Sequence, residues 1–490
     1  KISSKNLRAN IFGGKSILSV SSPTTNESIN VSAKGVIKPG VILKRFGIPG
    51  AKKITGNTSF QSSMVFPVNN KKNKHPTLKL NSNLLGIKSD LPDQFYKQKE
   101  SHQEFNFVTT FSGKDKFQLG IELGEKGSAI LELTKSRGRT YLNKGIISAS
   151  GKKAILPQKN ILYVDGAIEE FTPSKWSDAL ELNKIKETSD FFRNPVVINL
   201  DNLKIVTVDD KDKVKKIAAA NPKNIPPFEG VIKNLFFDNV FLGRLDFKAS
   251  KKTYGLHFDE VILSKINMKL ISHGAWHYDN GQHKTNMDIT LSSDDFGNML
   301  TGLGYAAVIE KGTAKTISKV SWNGAPTQFS FNSLNGNIQL KITDGNIIEA
   351  EAGAGRLLGL FSLSALPRKL FGDFADTFKS GFNFDTANGE IIIDAGNAYT
   401  EDFLIRSPVA EVTVSGRTGL AARDYDNIIK VVPELGGGIA GVTALLVNLP
   451  AGIGVWLIDK LTGEKINKAS TRIYEVSGSW DKPVIQETGG

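Results

Sequence analysis

Period-two alternation of apolar and polar residues is what most constrains this chain. Phe117, Leu119, Ile121 and Leu123 are separated by Gln118, Gly120 and Glu122. Met287, Ile289 and Leu291 alternate with Asp288 and Thr290, and Ile338, Leu340 and Ile342 with Gln339 and Lys341. Successive side chains of a strand point to opposite faces, so each run has one apolar and one polar face. That pattern predicts antiparallel sheet with one wet side. Asp165-Gly166, Asn280-Gly281, Asn335-Gly336, Asp344-Gly345 and Asn388-Gly389 are predicted as hairpin turns, because such pairs accept positive φ angles. A count of 47 glycines against 18 prolines suits a chain of many turns.

Helices are the minority. Ser293-Asp294-Asp295 predicts an N-cap for a helix carrying Phe296, Met299, Leu300 and Leu303, which Gly304 ends. Thr172-Pro173 opens a short helix through Trp176 and Leu180. The basic stretch Lys211 to Ala220 reads as a short exposed helix. Around it, the chain from Leu182 to Gly230 is more polar and ends in Asn221-Pro222 and Pro226-Pro227, as a connection would. Three segments follow: a β-rich region over 1–182, a polar and partly helical connection over 183–230, and a second β-rich region over 231–490.

The last third carries two apolar stretches. Leu357, Leu358, Leu360, Phe361, Leu363 and Leu366 predict a lid-like helix within 355–378, stopped or kinked by Pro367. Ile439 to Ile458 holds no charge and is long enough to span a bilayer. Gly441, Asn448, Pro450, Gly452 and Gly454 interrupt it, which favours a re-entrant or interfacial hairpin over a clean span, within a helical region near 436–461. Its membrane-contact candidates are Leu445, Leu446, Leu449, Val455, Trp456, Leu457 and Lys460, of which Trp456 and Lys460 suit an interface. The plainer alternative is a helical hairpin packed on the sheet.

Most chemistry is excluded or unsupported. Cysteine is absent, which removes disulfides, thiolate metal sites and cysteine nucleophiles. Gly13-Gly14-Lys15-Ser16 resembles the tail of a phosphate loop, but position 9 is Ala9 and the flanks read as strand, so a β-turn is expected. His273 and His277 on one strand lie roughly 13 Å apart. With His283 they read as hairpin histidines rather than metal ligands. No catalytic constellation, cofactor or metal is expected. The formal net charge of +13 is dispersed, which points to compositional bias first, anionic lipid surfaces second and nucleic acid last.

One stretch is more specific. Gly353-Ala354-Gly355-Arg356-Leu357-Leu358-Gly359-Leu360-Phe361-Ser362-Leu363-Ser364-Ala365-Leu366-Pro367-Arg368 follows Leu334-Asn335-Gly336 and Asp344-Gly345. It precedes Gly381 to Asp385, Val431-Val432-Pro433, Gly436-Gly437-Gly438 and Gly478-Ser479-Trp480-Asp481-Lys482-Pro483. In order and spacing, Gly274 to Val484 resembles the C-terminal region of the AsmA-like superfamily, and within it the YhdP family. The resemblance implies a mainly β fold, a long curled antiparallel sheet forming an elongated apolar groove of the bridge-like lipid-transfer type. It implies a periplasmic protein of Gram-negative bacteria that moves phospholipid between inner and outer membrane and contributes to outer-membrane integrity. An inner-membrane anchor would precede Lys1 in the full-length protein, and the C-terminal helices would meet the inner leaflet of the outer membrane. No nucleic-acid partner is implied.

The residues suit that role. A diacyl lipid exposes roughly 30 methylenes at about 0.8 kcal/mol each, so crossing water unaided is prohibitive. Alternating strands would shield those methylenes, with Phe117, Leu119, Ile121, Leu123, Met287, Ile289, Leu291, Ile338, Leu340 and Ile342 as groove candidates. The same pattern also builds the filled core of a non-catalytic envelope scaffold, sandwich or solenoid. Alternation alone leaves both readings open.

Overall fold

The computed structural model describes residues 3–22, 28–45, 49–68, 75–149, 153–180, 193–207, 220–305, 307–348, 381–433 and 471–489. The chain is mainly β. It divides into two units, Lys1–Leu256 and His257–Gly490. Among the described residues, 24 strands are assigned to a large sheet and three to a small one.

The first unit opens with strands β1 (Ser3–Ile11), β2 (Gly14–Ser21) and β3 (Ser28–Ile37), then helix α1 (Pro39–Arg45). Next come β4 (Ile54–Gly56), β5 (Thr58–Pro67), β6 (Thr77–Ser82), β7 (Ile87–Asp90) and β8 (Tyr96–Lys97). β9 (Phe105–Phe111), β10 (Lys116–Glu122), β11 (Ser128–Ser136), β12 (Arg139–Ala149) and β13 (Leu162–Phe171) lead to helix α2 (Pro173–Ala179). β14 (Val196–Ile205), β15 (Phe228–Phe237) and β16 (Val240–Lys252) complete it. Antiparallel neighbours run β1-β2-β3-β5-β6-β9-β10-β11-β12. β4, β7 and β8 form the small antiparallel sheet.

The register then changes sense. β12, β13, β14 and β15 are parallel neighbours, and β16 returns antiparallel to β15. The segment 183–230, expected as a polar connection, therefore contributes a full strand to the sheet. Parallel neighbours must be joined by crossovers of about a dozen residues or more. Those returns, from Phe171 to Val196 and from Ile205 to Phe228, supply the polar sequence that reads as a connection. Within it Val196, Ile198 and Leu200 keep the alternation.

The second unit contains β17 (Gly255–Lys265), which begins at the division, then β18 (Met268–Asp279) and β19 (Gln282–Ser293). Helix α3 (Phe296–Gly302) leads to β20 (Ile309–Asn323), β21 (Asn335–Ile347), β22 (Phe382–Asp394) and β23 (Asn397–Arg406). β24 (Ala410–Gly419), β25 (Asp424–Pro433), β26 (Arg472–Ser479) and β27 (Lys482–Gly489) follow. From β18 to β27 each strand pairs antiparallel with the next.

The helices α2 and α3 lie where their caps predict. The Asp295 carboxylate accepts the Asn298 backbone N–H at 3.0 Å, satisfying one orphan donor of the first turn of α3. The expected helix from Lys211 to Ala220 lies outside the described residues except for Ala220, and those within 355–378 and 436–461 lie wholly outside them. Among the described residues, no helix is long and apolar enough to cross a membrane.

The turn expectations need correction. Asn280-Gly281 does close the β18–β19 hairpin, with φ of 48° and 80°. The other four pairs lie inside β13, β21 and β22. Gly166 sits at a register shift, and a Cβ on Gly336 would lie 2.0 Å from the Lys319 carbonyl oxygen. Glycine there serves bulges and close backbone approach, a use that local sequence does not distinguish from a turn. Several tight turns instead pair glycine with an unexpected partner, as in Phe12-Gly13, Arg137-Gly138 and Ala395-Gly396. Gly13 thus belongs to the β1–β2 hairpin, in line with the β-turn expected for that motif.

Candidate functional site

Directly paired residues on neighbouring strands present their side chains to the same face. In the first unit Leu80 pairs with Phe107, Phe107 with Ile121, Ile121 with Ala129 and Ala129 with Ile147. The row continues through Val164, Ile198 and Gly230 to Phe247. Two positions along, a second row runs from Leu78 through Thr109, Leu119, Leu131, Gly145, Leu162, Val196 and Phe228 to Ala249. At about 4.8 Å per strand, each row is on the order of 40 Å long.

The row flanking the first on its other side, through Asn81, Asn106 and Glu122, points the other way and is polar. Asn81 donates its side-chain N–H to Asn106 Oδ1 at 2.7 Å, and Asn106 donates to Glu122 at 3.3 Å. That face holds a polar hollow of about 1290 Å³ lined in part by Arg8, Lys15, Lys34 and Gln61. The row between the two apolar rows also points to this second face and mixes Lys79 and Tyr163 with Val108, Ile130 and Ile146, so the second face is polar chiefly along the Asn81 row.

The apolar face is incompletely covered. Leu80, Phe107, Ile121, Val164, Ile198 and Phe247 are half-buried, and Ile147 is 42% exposed. Over β6, β9 and β10 the face forms one wall of an apolar cavity of about 640 Å³. Phe117, Leu119, Ile121 and Leu123 all line it, together with Phe105 and Phe107. The facing wall comes from Ile42 and Leu43 of α1, Ile54 of β4, Ile87 of β7, and Phe95. The volume falls within the roughly 300–1,000 Å³ typical of ligand pockets. Lys97 and Lys126 bring the cationic groups to the lining. Burial pushes both ammonium groups below their ordinary pKa, since desolvation disfavours the charged form.

In the second unit the alternating face is packed. Ile289, Ser318 and Ile338 form one cross-strand row, and Leu291, Thr316 and Leu340 the next. Met287 and Ile342 extend the same faces of β19 and β21. Leu340 is 8% exposed and Ile342 1%, within a core that includes Phe296, Met299, Ile405 and Ile429. Leu291 packs against that core, while Met287 and Ile338 pack against a second cluster containing Trp322 and Ile391. The lid candidates Leu357–Leu366 and the membrane-contact candidates Leu445–Lys460 lie outside the described residues.

The histidines are dispersed in role. His273 Nε2 lies 3.4 Å from Asp288, and His283 Nδ1 accepts the Trp276 indole N–H at 3.1 Å. Burial lowers the pKa of His277 and His283. Among the described residues, no three His, Asp or Glu side chains cluster as a metal site would.

Sequence reading missed most of the cavity. Phe105 and Phe107, and Leu78 and Leu80, alternate as plainly as β10 does and were available as a signal. Lys97 and the α1 wall gave none, because their contribution depends on packing between distant segments.

No solved structure matches the chain. It is 31% identical over 220 residues to the intermembrane phospholipid transporter YhdP of Escherichia coli (strain K12), an alignment covering 45% of this chain. The aligned stretch spans only 17% of that relative's length. The family described as YhdP protein matches residues 1–213 and 193–485, nearly the whole chain, and the chain belongs to that family.

Proposed function

We propose that this chain is a non-enzymatic segment of an envelope lipid-transfer protein, and that its apolar face accepts phospholipid acyl chains moving between inner and outer membrane. The observation that carries this reading is the half-buried row from Leu80 to Phe247, with the cavity lined by Phe107, Phe117, Leu119 and Ile121. A lipid tail placed there exchanges water for hydrocarbon contact at about 25 cal/mol per Å². Because the row is continuous and chemically uniform, neighbouring positions differ little in energy, so a tail can shift between them without a large barrier. The family membership and the transporter named YhdP support the same reading.

In this proposal the protein works in the periplasm, held by an inner-membrane anchor elsewhere in the full-length molecule. Leu445, Leu446, Leu449, Val455, Trp456, Leu457 and Lys460 contact the outer membrane, and Leu357–Leu366 cover the apolar path. The packed faces around Leu340 and Ile342 favour a more structural task for the second unit, that of a rigid scaffold.

Photo-crosslinking in cells tests the proposal. A benzophenone side chain at Phe117 or Ile121 is expected to capture phospholipid, whereas the same group at Asn81, on the wet face, is not. Folded protein that yields no lipid adduct at either apolar position overturns it.

A further inference from the structure

The apolar cavity ends in cations. Along β10 and the residue after it, Phe117, Leu119, Ile121 and Leu123 form a column about 20 Å long at the strand rise, and Lys126 follows in the turn beyond it. One leaflet of a bilayer is about 15 Å of hydrocarbon, half of a roughly 30 Å core. The column is therefore long enough to hold the full depth of one acyl chain, with Lys126 placed where a headgroup would emerge.

Lys97 lies beside that end and is 7% exposed. Its ammonium donates to the carbonyls of Ile87, Gln98 and Ser101 at 3.1, 3.0 and 2.6 Å, which uses all three of its protons. Lys126, half-buried, donates to Tyr96 O at 3.4 Å. Burial first, and then the positive charge of Lys126, lower the pKa of Lys97, with Glu100 acting in the opposite sense. No Asp or Glu is among the described residues that line the cavity. Two partly desolvated cations without a lining carboxylate are costly in the empty protein. An anion delivered with an apolar tail removes that cost on binding.

Resting on the proposed lipid-binding role, we propose that Lys126, with Lys97 behind it, is a headgroup site that selects phospholipids of net negative charge over zwitterionic ones. The phosphate of either lipid meets Lys126. An ethanolamine headgroup then also brings an ammonium towards two lysines, whereas a glycerol headgroup does not. Like-charge repulsion supplies the discrimination.

The test uses the 490-residue chain and vesicles of equimolar phosphatidylglycerol and phosphatidylethanolamine with identical acyl chains. Lipid retained on the repurified protein is quantified by mass spectrometry. Retention of phosphatidylglycerol is expected to exceed that of phosphatidylethanolamine roughly two- to fivefold, the scale of a partly exposed charge pair. Lys126→Met keeps the aliphatic stem and is expected to bring the ratio near one, with the loss falling mainly on phosphatidylglycerol. Lys126→Arg is expected to retain the bias, as is Lys79→Met, which removes one charge from the other face of β6. Millimolar inorganic phosphate is expected not to displace lipid, since it lacks the tail. A wild-type ratio near one, an unchanged ratio in Lys126→Met, or displacement by phosphate overturns the headgroup site while leaving the acyl-chain reading intact. Recovery of no lipid at all overturns both.

Discussion

Asp93 and Trp176 are joined by a 2.7 Å hydrogen bond from the indole N–H to the carboxylate, across 83 residues of chain. The same carboxylate accepts the Thr172 backbone N–H at 3.1 Å and the Thr172 hydroxyl at 3.0 Å. Trp176 also meets Phe95 edge-on, with ring centroids 5.6 Å apart. Asp93 thus ties the N-terminus of α2 to the turn that presents Phe95 to the cavity. Asp93→Ala removes an acceptor from three donors, at a cost of about 2–4 kcal/mol. Urea unfolding followed by tryptophan fluorescence is expected to show that loss, with a change in the native Trp176 signal. A wild-type midpoint would show that the anchor is dispensable.

The two units differ in how they use the same apolar alternation, and truncation separates them. Ile342 is 1% exposed in a filled core, so Ile342→Ala is expected to cost about 2–5 kcal/mol. Ile121 is half-buried beside a cavity, so Ile121→Ala deletes fewer contacts and is expected to cost about 1 kcal/mol. Denaturant midpoints of the two variants check this, and equal losses would contradict the contrast.

Tyr425 makes the second unit sensitive to alkali. Burial pushes its phenol up to about 12, with Asp481 acting in the same direction. The unfolded phenol ionises near 10, so the folded state holds its proton to higher pH. The associated stability is complete below pH 10 and is lost as pH rises towards 12, by about 2–3 kcal/mol. Unfolding measured between pH 9 and 12 is expected to show this loss in the wild type and a shallower one in Tyr425→Phe. Parallel profiles would assign the alkaline loss to other groups.

Gly230 marks a point where the apolar row tolerates no added atom. It lies between Ile198 and Phe247, and a Cβ there would stand 2.0 Å from the Ile198 carbonyl oxygen. Gly230→Ala must push β14 and β15 apart and is expected to destabilise the first unit by about 1–3 kcal/mol. Faster amide hydrogen exchange in Val196–Ile205 would accompany it. Unchanged exchange would show that the ladder relaxes freely.

Much of the architecture is legible residue by residue. Phe117 to Leu123 and Ile338 to Ile342 announce strands through alternation, and Asp295 announces the start of α3 through its capping carboxylate. The parallel strands were hidden because Val196–Ile205 is embedded in long polar crossovers. Four of the five expected turns failed because glycine is needed equally where backbones crowd, as Gly336 shows. Lys97 was invisible as a site residue, since the carbonyls that hold it belong to Ile87, Gln98 and Ser101, which only folding brings around it.

Alternation determined that this chain forms sheet with one apolar and one polar face, because strand geometry sends neighbouring side chains to opposite sides. Tertiary structure alone decided what each apolar face meets. In the first unit, α1 and the small sheet stand off from β6, β9 and β10 and leave a cavity. In the second, Phe296, Met299 and their neighbours press onto β21 and bury Leu340 and Ile342. Both outcomes remove hydrocarbon from water, so the local pattern is the same, and the difference lies in the distance between segments far apart in the chain.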